Sequence, residues 1–418
     1  RGVVPNNDGI LASTLVVDKF SIFFKFLIIG IVATVIAVSS DYVGKFRRYQ
    51  IEYYALVLFS ATGMLLLAST VELITLYISL ELTALPLAAL AAFLRDSRSS
   101  ESGLKFLVLS GISSALLLYG MVLVYGLTGS TMLVDIASRL GDIGLSNDLP
   151  LGSYALLLSI TLMVAGFGFK IAAVPFQMWV PDVYEGSPTP VTAFLSVASK
   201  AAGFAVILRV FYVAFPMDML SIEWSTLFAV LAALSMTVGN LVAIAQRNIK
   251  RMLAYSTVAH AGYLMVGLSA VAARTSGDQG ALGPSGVLFY LGGYAATNLA
   301  AFSAVIAISN RIDSDNIDDF AGMARRAPFL SLVLAFGLIS LIGVPPTGLF
   351  IGKIFLFTAA VQSDLAWLAI LGVLNSVVSA YYYLRVIRVM YMVEPVSEEK
   401  IISSVPFRLA LGVSGIAV

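Results

Sequence analysis

From Tyr154 to Phe169 the sequence carries no ionisable side chain other than the tyrosine, and comparable apolar runs of 16 to 20 residues recur along the 418-residue chain. Backbone N–H and C=O groups in hydrocarbon must be satisfied within their own segment or around a closed barrel, and runs of this length span a bilayer as helices. Barrel strands would alternate polar and apolar residues, which these runs do not. Charged residues make up 12% of the chain, where a soluble domain uses about a quarter to coat its surface. The fold class is therefore all-α, a polytopic membrane protein.

Twelve hydrophobic segments are expected, at about 19–40, 52–70, 72–94, 104–127, 154–180, 189–215, 224–246, 251–273, 285–309, 328–361, 365–390 and 404 to the end. The loops that alternate with them test the count. One side holds Lys45, Arg47, Arg48, Arg95, Arg98, Arg247, Lys250, Arg251, Arg311, Arg325, Arg326, Arg388 and Lys400, and the other only Arg139 and Arg274. That asymmetry is a positive-inside signal, and it puts the basic loops on the cytoplasmic side, or on the matrix or stromal side in an organelle membrane. Because the chain starts at Arg1 and stops inside an apolar run, both ends are expected to be truncated.

Two segments are interrupted. Tyr154–Val180 contains Pro175 and leads into PDVYEGSPTP, and Pro328–Val361 contains Pro345-Pro346 among Gly343, Gly348 and Gly352. Proline frees backbone groups that are tolerated at membrane depth only beside protein or water. Paired broken helices in two halves are the mark of inverted-repeat transporters, with the ion site at the breaks. The expected domains are a flanking segment at 1–51, a first five-helix bundle at 52–215, a second at 216–390 and the start of a flanking helix at 391–418. The relation between the halves is topological, without repeated sequence. The longest connection, Thr128 to Gly152, is expected to be an acidic loop.

Cysteine is absent and His260 is the single histidine, which excludes cysteine-ligated iron–sulfur clusters and bis-histidine haem. No nucleotide-binding loop stands in a strand–helix context, and one histidine with scattered carboxylates gives no metal-ligand spacing.

Five ionisable residues fall well inside the expected spans: Glu81, Lys170, Lys200, His260 and Lys353. Each charge at that depth costs about 2.5–3.5 kcal/mol, so several together point to function. Glu81 has no local lysine on its helix, and Lys170, on a neighbouring one, is its expected partner. An opposite charge holds a buried lysine protonated, and losing that charge lets desolvation release the proton. Lys200 could receive it, Lys353 follows the second proline break, and His260 is a candidate relay or a hydrogen-bonded core residue. Lys105, Arg209 and Arg385 lie nearer helix ends, where snorkelling is the simpler account for the two arginines. Tyr381-Tyr382-Tyr383 reads as an interfacial aromatic anchor.

The stretches YISLELTALP, ESGLKFLVLSGISSALLLYG, GFGFKIAAVPFQMWVPDVYEGSPTPV, FLSVASKAAGF, NIKRMLAYSTVAHAGYL, GVPPTGLFIGK and SAYYYLRV resemble, in order across residues 52–395, the antiporter-like subunit N (chain 2) family of respiratory complex I. That family has fourteen membrane helices in two inverted five-helix bundles, so two at the N-terminus would be missing here. The resemblance implies a translocase subunit of NADH:quinone oxidoreductase that moves protons while quinone is reduced elsewhere. Glu81 then matches the carboxylate paired with the central lysine, Lys170 that lysine, Lys200 and His260 the hydrophilic axis, Lys353 the second-bundle lysine and Lys105 a further first-bundle lysine. It implies no cofactor or metal on this chain, with NADH or another reductant, FMN, iron–sulfur clusters and quinone in other subunits. Implied partners are subunits M and K and membrane lipid, not nucleic acid, in a bacterial cytoplasmic membrane. Competing readings are a cation/proton antiporter, a membrane subunit of a hydrogenase- or formate-linked complex, and a structural spacer.

Overall fold

A computed structural model describes residues 9–10, 14–40, 42–46, 48–143, 150–215, 217–270 and 282–395. The expected twelfth segment, together with Arg47, Arg274 and Lys400, lies outside the described residues. The other eleven segments are helical at nearly the expected bounds. They are α1 (Lys19–Ser39), α2 (Gln50–Leu67), α3 (Leu73–Ala91), α4 (Ser97–Thr128), α6 (Pro150–Ile171) with α7 (Val180–Gly186), α8 (Thr189–Phe194) with α9 (Lys200–Val213), α10 (Met217–Ile244), α11 (Ile249–Ser269), α12 (Leu282–Ile312), α14 (Pro328–Ile342) with α15 (Gly348–Gln362), and α16 (Ala366–Met392). A four-residue helix α13 (Met323–Arg326) precedes α14.

The helix starts follow from the sequence. Asp18, Glu72, Asp96 and Asn248 each accept a hydrogen bond from a first-turn amide, satisfying donors that the helix leaves open. The polar ends are tied by short ladders. On one side, Val16 donates to Ser69, Val71 to Thr14, and Leu73 to Thr131. On the other, Ile249 donates to Asp315 and Ile317 to Arg247. A two-residue strand pair, β1 (Gly9–Ile10) and β2 (Leu15–Val16), completes the first edge.

The connection after α4 corrects the sequence reading, for it contains an amphipathic helix α5 (Leu133–Ile143) that buries Leu133, Ile136 and Leu140. Three apolar residues at helical spacing are enough to seat a short surface helix on the bundle.

Helices α4 and α6 approach closely at Gly120 and Gly166, where an added Cβ would lie 2.8 Å from Met163 Cγ and 2.6 Å from Leu117 Cβ. Helices α10 and α11 do the same at Gly239 and Gly262. Small residues at such crossings let backbones pack where no hydrophobic drive separates helix from lipid. Among the described residues nine helical stretches are long and apolar enough to cross a membrane. Helix α11 does not reach that hydropathy. Nearly all of it is enclosed by other helices, so it does not need a lipid-compatible surface. Every residue of α8 and α9 is likewise buried. These two enclosed helices carry Lys200 and His260.

Candidate functional site: a buried ionisable axis

The two breaks differ in how the lysine meets them. After α6, Ala172 takes φ 63° and the Val174–Pro175 bond is cis. The exposed backbone groups find partners, with Val174 N donating to Ser235 Oγ on α10 (2.9 Å) and Trp179 Nε1 to Phe169 O (3.2 Å). A 3-10 turn (Phe176–Trp179) then leads into α7. Lys170 sits before this break. Its Nζ is buried with no hydrogen-bond partner among the described residues, beside a cavity bordered by Leu80, Ser110, Ser113 and Ser114. Glu81 Oε1 accepts from Ser114 Oγ, one of the residues lining that cavity. Glu81 is the acid whose charge acts on Lys170, but among the described residues the two form no direct ion pair. The stem of Lys170 packs on α9 at Gly203, one turn beyond Lys200.

Lys200 follows a π-helical turn (Leu195–Ser199), a form of helix frequent at functional sites. Its Nζ donates to Thr257 O on α11 and lies 5.7 Å from the centre of the Tyr294 ring. His260, one turn further along α11, is 5.1 Å from that same ring. Its Nδ1 is 2.6 Å from Tyr290 Oη and its Nε2 3.4 Å from Tyr383 Oη, which also bonds Ser256 Oγ. Tyr263 bridges onward. Its ring lies 5.7 Å from the imidazole and 4.4 Å from Lys353 Nζ, and its hydroxyl is 3.3 Å from Ser376 Oγ.

At the second break α14 ends on Gly343 (φ 83°), the Pro345–Pro346 bond is cis, and α15 begins at Gly348. Lys353 lies after this break. Its Nζ donates to Ile342 O (2.8 Å), one of the carbonyls freed by the broken helix, and to Ser376 Oγ (3.0 Å). One lysine therefore caps the interrupted helix, and the other faces a cavity.

Two sequence expectations are corrected, the tyrosine anchor and the snorkelling of Arg209. Tyr382 and Tyr383 are buried, with only Tyr381 exposed. They join the tyrosine cage and are not an interfacial anchor. Arg209 does not snorkel. It is fully buried, and its Nη1 and Nη2 lie 2.5 and 3.0 Å from the Asp18 carboxylate, with Ala68 O at 3.3 Å. Arg385 turns its guanidinium to the last carbonyls of the α10 end, Ile244 O and Gln246 O. Lys105 stands apart from the axis, half-exposed and paired with Glu101 and Asp182 at 2.7 Å each.

The tyrosines escaped the sequence reading. The available signal was spacing, with Tyr290 and Tyr294 four residues apart on α12 and Tyr263 three after His260. Asn240 was also missed. It is fully buried and links Tyr263, Asn375 and Tyr382.

Two inverted five-helix bundles, each with a discontinuous helix and a buried lysine, define an antiporter-like membrane subunit. The model of the NADH:quinone oxidoreductase/Mrp antiporter transmembrane family matches residues 70–379, and the chain belongs to this family. It is 48% identical to NADH-quinone oxidoreductase subunit N of Dehalococcoides mccartyi, over 96% of this chain and 82% of that protein. A chain of respiratory complex I from Thermus thermophilus superposes with a TM-score of 0.78 at 34% identity, covering 98% of this chain and 85% of that one. A chain of the archaeal membrane-bound sulfane sulfur reductase superposes with a TM-score of 0.80 at 27% identity, covering 94% and 79%.

Proposed function

We infer that this chain is the proton-translocating, non-redox membrane subunit of an NADH:quinone oxidoreductase. The observation that carries the reading is the row Lys170, Lys200, His260 and Lys353, four ionisable groups buried in the interior of a bundle of apolar helices. Lys200 bonds Thr257 O and lies over the Tyr294 ring, which packs on His260. His260 bonds Tyr290 and packs on the Tyr263 ring, whose hydroxyl is 3.3 Å from Ser376 Oγ, a partner of Lys353. Lysine and histidine hold and release protons, and hydroxyls, which both accept and donate, stand beside His260 at Tyr290 and Tyr383 and beside Lys353 at Ser376. At about 2.5–3.5 kcal/mol for each buried charge, folding alone gives no reason to keep them.

Glu81 governs the entrance. Its negative charge favours the protonated form of Lys170, and withdrawing or neutralising it favours release toward Lys200. Ser114, which bonds Glu81, lines the cavity beside Lys170, so small movements of α3 or α4 change the interaction of the two charges. Lys105, tied to Asp182, acts at the edge of this first bundle.

We take the bundles to be 52–215 and 216–390 with 1–51 and 391–418 flanking, a grouping supported by the packing of α2 with α3, α4 with α6, α10 with α11, and α12 with α14 and α15. The neighbours in the complex are subunits M and K, in a bacterial cytoplasmic membrane with the basic loops inside. NADH, or another reductant, FMN, iron–sulfur clusters and quinone belong to other subunits. The family also embraces Mrp antiporters, and copurification with quinone-reducing, iron–sulfur subunits separates that reading from this one. The direct test is Lys170→Ala in the assembled complex. Proton pumping and coupled quinone reduction fall together, and a variant that pumps normally rejects the assignment.

A further inference from the structure

The short helix α7, just beyond the first break, carries two carboxylates that the axis does not use. Asp182 Oδ2 accepts from Lys105 Nζ on α4 (2.7 Å), and its Oδ1 from Arg251 Nη1 on α11 (2.9 Å). Glu185 Oε2 accepts from the same Arg251 Nη1 (2.7 Å), and its Oε1 lies 3.6 Å from Arg98 of α4. Lys250 Nζ donates to the carbonyls of Glu185 (2.8 Å) and Ser187 (3.0 Å). Gly186 presses on α4 so closely that a Cβ there would lie 2.7 Å from Arg98 O. Four cations from two helices, one on each side of the division between bundles, thus converge on one turn of chain.

Between the two carboxylates stands Tyr184, which is buried. Its hydroxyl lies 3.4 Å from Thr257 Oγ1, and Thr257 O is the acceptor for Lys200 Nζ. The partly exposed ion pairs are individually worth at most about 1 kcal/mol, too little to explain them as a fold-stabilising device. Their geometry fixes where α7 sits relative to both bundles.

We propose that Asp182 and Glu185 are positioning residues: by clamping α7 between Lys105 on α4 and Arg251 on α11, they hold Tyr184 on Thr257 and so set the hydrogen bond of Lys200. This rests on the reading of Lys200 as a proton-transfer group. When the clamp opens, α7 is free to follow the adjacent break, Tyr184 leaves Thr257, and transfer at Lys200 slows.

The test uses the assembled complex in sealed vesicles, with turnover of coupled quinone reduction measured in H2O and D2O. Asp182→Asn and Tyr184→Phe each lower turnover per assembled complex by up to about tenfold, the upper worth of one hydrogen bond. Both raise the solvent isotope effect, because proton transfer becomes more rate-limiting. Asp182→Glu returns both values toward the parent. Wild-type isotope effects in both variants overturn the proposal whatever the turnover does, since a merely structural role changes the amount of complex and not the step. If Asp182→Asn prevents assembly, Tyr184→Phe, which removes one hydroxyl, decides by itself. Lys200→Ala is measured alongside. Normal pumping by that variant overturns the Lys200 reading, whereas lost pumping with unaltered isotope effects in the other two overturns the clamp alone.

Discussion

His260 Nδ1 lies 2.6 Å from the hydroxyl of Tyr290, and its other ring nitrogen faces Tyr383 Oη at 3.4 Å. An imidazole with a hydroxyl at each nitrogen can take a proton on one side and give it up on the other. His260→Ala is expected to lower proton pumping more than Tyr290→Phe, which leaves the Tyr383 contact intact and costs about tenfold. Fluorescent-dye quenching in sealed vesicles measures both. Wild-type rates in His260→Ala would reduce the residue to a core hydrogen-bonder.

Glu81 can be neutralised without emptying its site. Glu81→Gln keeps an acceptor for Ser114 Oγ, so assembly is preserved while the charge acting on Lys170 disappears. Pumping should fall by about tenfold, the effect of losing one charge interaction of about 1.4 kcal/mol. If the glutamine variant pumps as well as the parent, the carboxyl only fixes helix packing.

Gly343 and Lys353 form one device at the second break. An alanine at Gly343 would hold a β-carbon at φ 83°, 3.0 Å from Lys353 Cδ, and the left-handed backbone alone costs about 1–2 kcal/mol. Gly343→Ala should lower both thermal stability and pumping, through displacement of Lys353 from Ile342 O. Gly30→Ala, in mid-helix with nothing within 4 Å of the new methyl, is the control. Equal behaviour of the two variants in a thermal-shift and pumping comparison would contradict this account.

Asp18 caps α1 and pairs with the buried Arg209. Burial pushes the Asp18 carboxyl up, but the hydrogen bonds and charge of Arg209, with the Ser21 amide and hydroxyl, more than reverse this and hold it below the usual carboxylate range. The folded state therefore binds this proton less tightly than the unfolded chain. The stabilisation is complete above the unfolded value of about 3.9 and is lost as pH falls through the lower folded value. Asp18→Asn should destabilise the subunit by about 3–5 kcal/mol near neutral pH. The difference from the parent should shrink below about pH 4. A thermal-denaturation series against pH checks both, and a pH-independent difference would sink the electrostatic account.

The sequence by itself determined the spans, the two breaks and the depth of Glu81, Lys170, Lys200, His260 and Lys353. Those features are local, because run length fixes whether a helix crosses the bilayer, proline and glycine fix where it stops, and a charge is conspicuous in an apolar segment wherever it points. The tertiary structure alone decided which face each residue presents. In a soluble helix, polarity separates the inner face from the outer one. Where lipid is the solvent both faces are apolar, so nothing in YYY marks Tyr381 as exposed and its two neighbours as buried. For the same reason Arg209 looked like a helix-end arginine until Asp18, 191 residues earlier in the chain, was found against it. The order was legible, with Lys170 before Pro175 and Lys353 after Pro346. That Lys353 caps its broken helix at Ile342 O while Lys170 faces a cavity was not legible, because only packing across the break selects the acceptor.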